Sequence, residues 1–121
     1  MIKEKLLELP LRIFNEKKDL LILMNDLEIK EAFIKTWEVV ESNKINNEVD
    51  KEGKLIYSSD VKRKAELEKR KLENEDYKNL LNEINDYKMK IELKKIYIER
   101  LINEQKNYRA LCLIEGDDAI E

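Results

Sequence analysis

The sequence contains no histidine, which removes imidazole as acid, base or metal ligand from whatever chemistry the protein performs. Its one cysteine, Cys112, has no mate for an internal disulfide, which suits a reducing cytoplasm. The setting of that cysteine, ALCLI, reads as a small core hydrophobe rather than a reactive thiol. One proline and two glycines leave long stretches without a breaker. No apolar run, LLILM at 20–24 included, approaches the roughly 20 residues of a membrane span. The expectation is therefore a cytoplasmic protein without membrane contact. Neither charge dominates: 24 Lys and Arg stand against 27 Asp and Glu, a net of −3, so the chain lacks the basic footprint of a nucleic-acid binder.

What the chain does have is 42% charged and 42% hydrophobic residues, the composition of long helices and coiled coils. At 14.5 kDa it has room for one core, and residues 1–115 read as a single helical domain. Residues 2–9 form a short helix that Pro10 ends or restarts. A long helix follows over 11–46. Its apolar stripes, Leu20, Met24, Leu27, Ile34 and Ile29, Phe33, Trp37, Val40, share one broad face. Periodicity is lost over 47–58, where Asn, Asp and Gly collect in a loop. Ser58, Ser59 and Asp60 are candidate N-caps for a second long helix over 59–115. Gly116 is its natural stop, and 116–121 form a flexible acidic tail. The fold class is all-α, a long antiparallel helical hairpin or coiled coil with a short N-terminal helix. The alternative is a prefoldin-like arrangement in which 54–57 join a small β element.

Within the second helix, Leu80, Ile84, Tyr87, Ile91, Lys94, Ile98, Leu101, Gln105, Tyr108 and Cys112 advance by alternating steps of four and three. That is a coiled-coil seam. A hairpin of unequal helices leaves apolar surface over, so the reading is of a homo-oligomer, most simply a dimer. Its seam would comprise Leu80, Ile84, Tyr87, Ile91, Ile98, Leu101 and Tyr108.

The candidate binding residues lie in GKLIYSSDVKRKAELEKRK, Gly53 to Lys71. Two KRK triplets stand one heptad apart at the start of the second long helix. Cations there oppose the helix dipole, which helix stability alone does not favour. Lys62, Arg63, Arg70 and Lys71, with Tyr57 beside them, are the candidates for binding phosphate or an acidic partner. The competing reading is a solvated surface laced with pairs such as Glu66 and Arg70, four apart. The G-x-x-x-x-G-K-[ST] phosphate loop is absent. No cofactor, metal site or catalytic constellation emerges, and the expectation is a protein that is not an enzyme.

Leu9-Pro10, Gly53-Lys54, Tyr57-Ser58 and Arg63-Lys64-Ala65 together resemble a group of small helical coiled-coil proteins of unknown function. These are encoded by phages and prophages of low-GC bacteria; Ser59 stands where that group commonly has Asn. The resemblance implies a bacterial-host cytoplasm and no particular site residues. The expected function is a coiled-coil interaction protein that binds another protein, in phage DNA metabolism or as an inhibitor of a host defence system. The alternative is a helical module that binds nucleic acid or nucleotides through the basic segment.

Overall fold

The computed structural model describes residues 2–120, and the side chains of residues 2–114. The described residues form three helices: α1 (Ile2–Asn47), α2 (Asp60–Glu73) and α3 (Glu75–Ile120). The fold is all-α, with α1 and α3 packed as a helical hairpin. Among the described residues the only β pairing is an isolated bridge between Val49 and Leu55, so 54–57 form no strand. The bridge belongs to a tight reversal between α1 and α2. Asp50 Oδ1 accepts from the amides of Glu52 and Lys54, and Gly53 takes a φ of +80°, where a side chain would be strained.

Two boundaries differ from the sequence reading. Helix α1 runs without a break through Pro10, so the short helix 2–9 and the long helix 11–46 are one element. Pro10 cannot donate to the carbonyl of Leu6, yet it lies exposed while Leu9 and Ile13 on either side of it are buried. Those two anchors hold the helix through the proline, because tertiary packing of an apolar face outweighs local propensity. The single helix expected over 59–115 is instead two, divided at Asn74, which takes an extended conformation (φ −90°, ψ 113°). Asn74 closes α2 by donating its amide to the Arg70 carbonyl, and opens α3 by accepting the Tyr77 amide on its side-chain oxygen at 2.8 Å. Glu75 and Asp76 then supply negative charge to the first turn of α3. Ser59 caps α2 as expected, its Oγ accepting from the Lys62 amide. At the far end α3 passes Gly116; the expected flexible acidic tail concerns side chains outside the described residues.

The chain divides into two compact units. The first joins α1 as far as Asn25 to α3 from Lys88. Its core is Leu9, Ile13 and Leu101, with Tyr97, Ile102 and Tyr108 packed against them. Here Lys94, a polar residue in the α3 seam, donates to Glu16 of α1 at 2.7 Å, and Arg12 donates to the Tyr97 hydroxyl. The second unit spans Asp26–Tyr87 and is built on Ile34, Tyr77 and Ile84, with Leu27, Trp37 and Leu80 around them. Trp37 and Tyr77 pack with ring centroids 4.6 Å apart, and Lys30 bonds Glu83 while lying over the Tyr87 ring. Every residue of the expected α3 seam from Leu80 to Cys112 is buried or half-buried.

That seam is closed from within the chain. Leu80, Ile84, Tyr87, Ile91, Ile98, Leu101 and Tyr108, read from the sequence as an oligomer seam, are buried or half-buried within the chain itself, with the apolar stripe of α1 as their counterpart. The broad face expected on α1 is also divided. Leu20, Leu27, Ile34 and Trp37 turn inward, whereas Met24, Ile29, Phe33 and Val40 stay exposed. An antiparallel neighbour follows a strict three-and-four stepping and leaves the adjacent stripe to solvent.

Because Pro10 occupies a helix interior, Pro10→Ala should raise stability, by up to about 3 kcal/mol. Urea unfolding of the two proteins measures this; an unchanged or lower midpoint would show that the proline is not held against its preference.

A candidate binding surface around Arg70

Helix α2 is only 14 residues long and none of them is buried, so its charged side chains must find their partners at the surface of the second unit. The structure brings Arg63 and Arg70 to Tyr57 and sets Lys71 over Tyr77, each cation held in ion pairs of its own. Arg70 donates through Nε to Glu66 at 3.0 Å, through one terminal nitrogen to Glu41 at 3.3 Å, and through the other to Glu48 at 2.8 Å. Its guanidinium also lies 6.0 Å from the Tyr57 ring centroid. A planar fork with five donors meets three carboxylates in this way where a lysine could not. Arg63 bonds Asp60 and the Tyr57 carbonyl, tying the loop to the first turn of α2. Lys71 pairs with Glu68 at 3.1 Å and Glu38 at 3.5 Å, over the ring of Tyr77, whose hydroxyl donates to the same Glu38.

The electrostatics follow from those contacts. Hydrogen bonds donated to Glu48, then Glu66, raise the Arg70 guanidinium still further above its ordinary value, against the opposing effect of burial. For Lys71 burial acts to lower the ammonium, but Glu68, Tyr77 and Glu38 outweigh it and the net direction is upward. The Arg70 hydrogen bond holds Glu66 below the usual carboxylate range, and Arg63 does the same for Asp60. Burial and Glu38 push the Tyr77 phenol up.

Three of the four expected ligand-binding cations are thus already engaged, by six carboxylates: Asp60, Glu38, Glu41, Glu48, Glu66 and Glu68. Of the four, Lys62 alone is outside an ion pair among the described residues. Of the two triplets, Lys62, Lys64 and Lys69 are exposed, whereas Arg63, Arg70 and Lys71 are half-buried. Of the carboxylates, Glu66 was readable four residues before Arg70; Glu38, Glu41 and Glu48 come from α1 and its exit, and no sequence spacing announces them. Beside the network an open cavity of about 220 Å³ is lined by Trp37, Glu41, Arg70, Glu73 and Asn74, at the break between α2 and α3. Among the described residues no cluster of three or more His, Cys, Asp or Glu is arranged to hold a metal. Cys112 is half-buried and free.

Removing the hub should therefore act on stability first. Arg70→Met leaves Glu41, Glu48 and Glu66 facing one another and should destabilise by about 1–3 kcal/mol, the site being only partly shielded from water. The pH dependence carries a sign. Glu66 is depressed in the folded state, so its contribution is complete above the ordinary value of 4.5 and is lost as pH falls through the lower folded value. In Arg70→Met the crowded carboxylates are relieved by protonation instead. Melting curves from neutral pH down past that ordinary value should show the gap between wild type and variant closing; a constant gap would contradict the network.

The chain matches no protein-family model, no curated protein and no solved structure.

Proposed function

We propose that the protein is a non-enzymatic helical interaction module that docks another protein on the outward face of α1 in the second unit. The observation that carries this reading is the exposure of Ile29, Phe33 and Val40, with Phe33 63% exposed. They stand four and seven residues apart, on one side of the helix and away from the Ile34–Tyr77–Ile84 core. Apolar side chains at that spacing suit an amphipathic helix or a shallow apolar groove on the partner, with Phe33 as the anchor. In the phage setting that the sequence resemblance implies, such a partner belongs to phage DNA metabolism or to a host defence system whose surface is occluded.

The alternative, binding of nucleic acid through the basic segment, loses support from the six carboxylates that engage Arg63, Arg70 and Lys71. Only Lys62, Lys64 and Lys69 remain outside such pairs in α2, too few for strong backbone attraction.

Two measurements separate the readings. Purified protein titrated with single- and double-stranded DNA at low salt should show no binding that weakens steeply as salt rises. In affinity capture from host lysate, a stoichiometric protein partner should be retained by wild type and by Lys62→Gln/Lys64→Gln/Lys69→Gln, and lost by Phe33→Asp. The opposite pattern, loss with the lysine variant and retention with Phe33→Asp, would favour the nucleic-acid reading.

A further inference from the structure

In the first unit, α1 presents a second apolar stripe on the side away from its core. Leu7, Leu11, Phe14 and Leu21 are 80%, 63%, 63% and 67% exposed, and they follow the same steps of four and three as the inner seam, with Lys18 filling the one polar place. That is the pattern of another coiled-coil contact, unused within the chain. The charges bordering it are unused as well. Glu4, Glu8 and Lys18 are exposed, and none of them forms an ion pair among the described residues.

We infer that this stripe is the contact between two copies of the chain, which pair antiparallel about a two-fold axis through the α1 segment between Leu11 and Phe14. In that register Leu11 of one copy packs against the partner's Phe14, and by symmetry the same contact forms twice. Lys18 then falls beside the partner's Leu7, covering it with its aliphatic stem, while its ammonium reaches the partner's Glu4 and Glu8 on the neighbouring turns. Both ends of the contact thereby gain a cation against two carboxylates. This antiparallel register places opposite charges at both ends of the stripe, which favours a second copy over an unrelated partner.

The area agrees. Leu21 falls beside the partner's Glu4 and packs on its aliphatic stem, so four side chains of about 100 Å² each contribute, or roughly 400 Å² per copy. With the Lys18 and Glu stems the two copies together bury close to 1,000 Å², the lower end of specific interfaces. A contact of this size belongs to the weak class of interfaces, for which a dissociation constant on the order of 10 µM is the working scale. The inference goes beyond the docking face around Phe33 and does not depend on it, because it is tested on the purified chain alone.

The test is a charge exchange followed by sedimentation equilibrium, with helix content monitored by circular dichroism. Wild type should be dimeric at roughly 100 µM, about tenfold above the expected dissociation constant. Lys18→Glu places a carboxylate against the partner's Glu4 and Glu8, and Glu4→Lys/Glu8→Lys places two ammonium groups against Lys18. Each variant alone should dissociate at least about tenfold more readily than wild type. Mixed in equal amounts they should form a heterodimer as tight as the wild-type dimer, since every end then pairs opposite charges. Leu11→Asn/Phe14→Asn should be monomeric with its helix content retained. A wild-type monomer at that concentration, a Lys18→Glu protein as dimeric as wild type, or a mixture no more associated than its components would each overturn the inference. So would a persistent dimer in Leu11→Asn/Phe14→Asn.

Discussion

Two helices that lie against each other share one seam, and each covers only one face of the other. Nearly every other feature of this protein answers to that constraint. The seam of α3 from Leu80 to Cys112 is buried or half-buried throughout, and α1 answers it with Leu9, Ile13, Leu20, Leu27, Ile34 and Trp37. An apolar seam alone would tolerate a slip by one heptad, because leucine and isoleucine fit equally well one repeat along. The polar seam residues remove that freedom. Lys94 finds Glu16 in the first unit, and in the second Lys30 finds Glu83 and the Tyr87 face. In a slipped register each would be half-buried without its partner, which is far more costly than a poor apolar fit.

The basic triplets are understood through the length of α2. At the start of a helix of some 55 residues the first triplet would oppose the dipole and the second would gain nothing from it. Because α2 ends at Glu73, Arg70 and Lys71 occupy its last turn, where cations complement the carbonyl end. The same two residues face α1 in the second unit, so Glu38 and Glu41 draw them into a network that fastens a helix with no buried residue of its own. A segment that reads as a ligand site is thereby a structural clamp. Arginine suits its centre because one guanidinium spans Glu41, Glu48 and Glu66 at once.

The single seam also explains what is left outside. Helix α1 carries more apolar residues than one neighbour can cover, and the surplus appears as Leu7, Leu11 and Phe14 in the first unit and as Ile29, Phe33 and Val40 in the second. Exposed side chains of that size, repeated at helical spacing, are the usual mark of contact surfaces. The first set is bordered by Glu4, Glu8 and Lys18, and the second lies beside the Ile34–Tyr77–Ile84 core of its own unit.

Local chemistry was legible in the sequence wherever neighbours along the chain decide the outcome. The all-α class followed from composition and scarce breakers, the α3 seam from its period, the Ser59 cap and the loop from residue types that satisfy or free a few adjacent amides. The break at Asn74 was also written there, as Arg70-Lys71 before and Glu75-Asp76 after a capping asparagine, but without glycine or proline it was indistinguishable from a continuous charged helix until packing favoured two. The continuity of α1 through Pro10 depends on Leu9 and Ile13 finding Leu101, some 90 residues away along the chain. Whether a cation is free or engaged is equally non-local: Glu38, Glu41 and Glu48 reach Arg70 and Lys71 only because the chain reverses between α1 and α2. Periodicity says that a helix has an apolar face. Only the tertiary structure decides which of two adjacent stripes is covered, because that choice belongs to the neighbour's geometry and not to the helix.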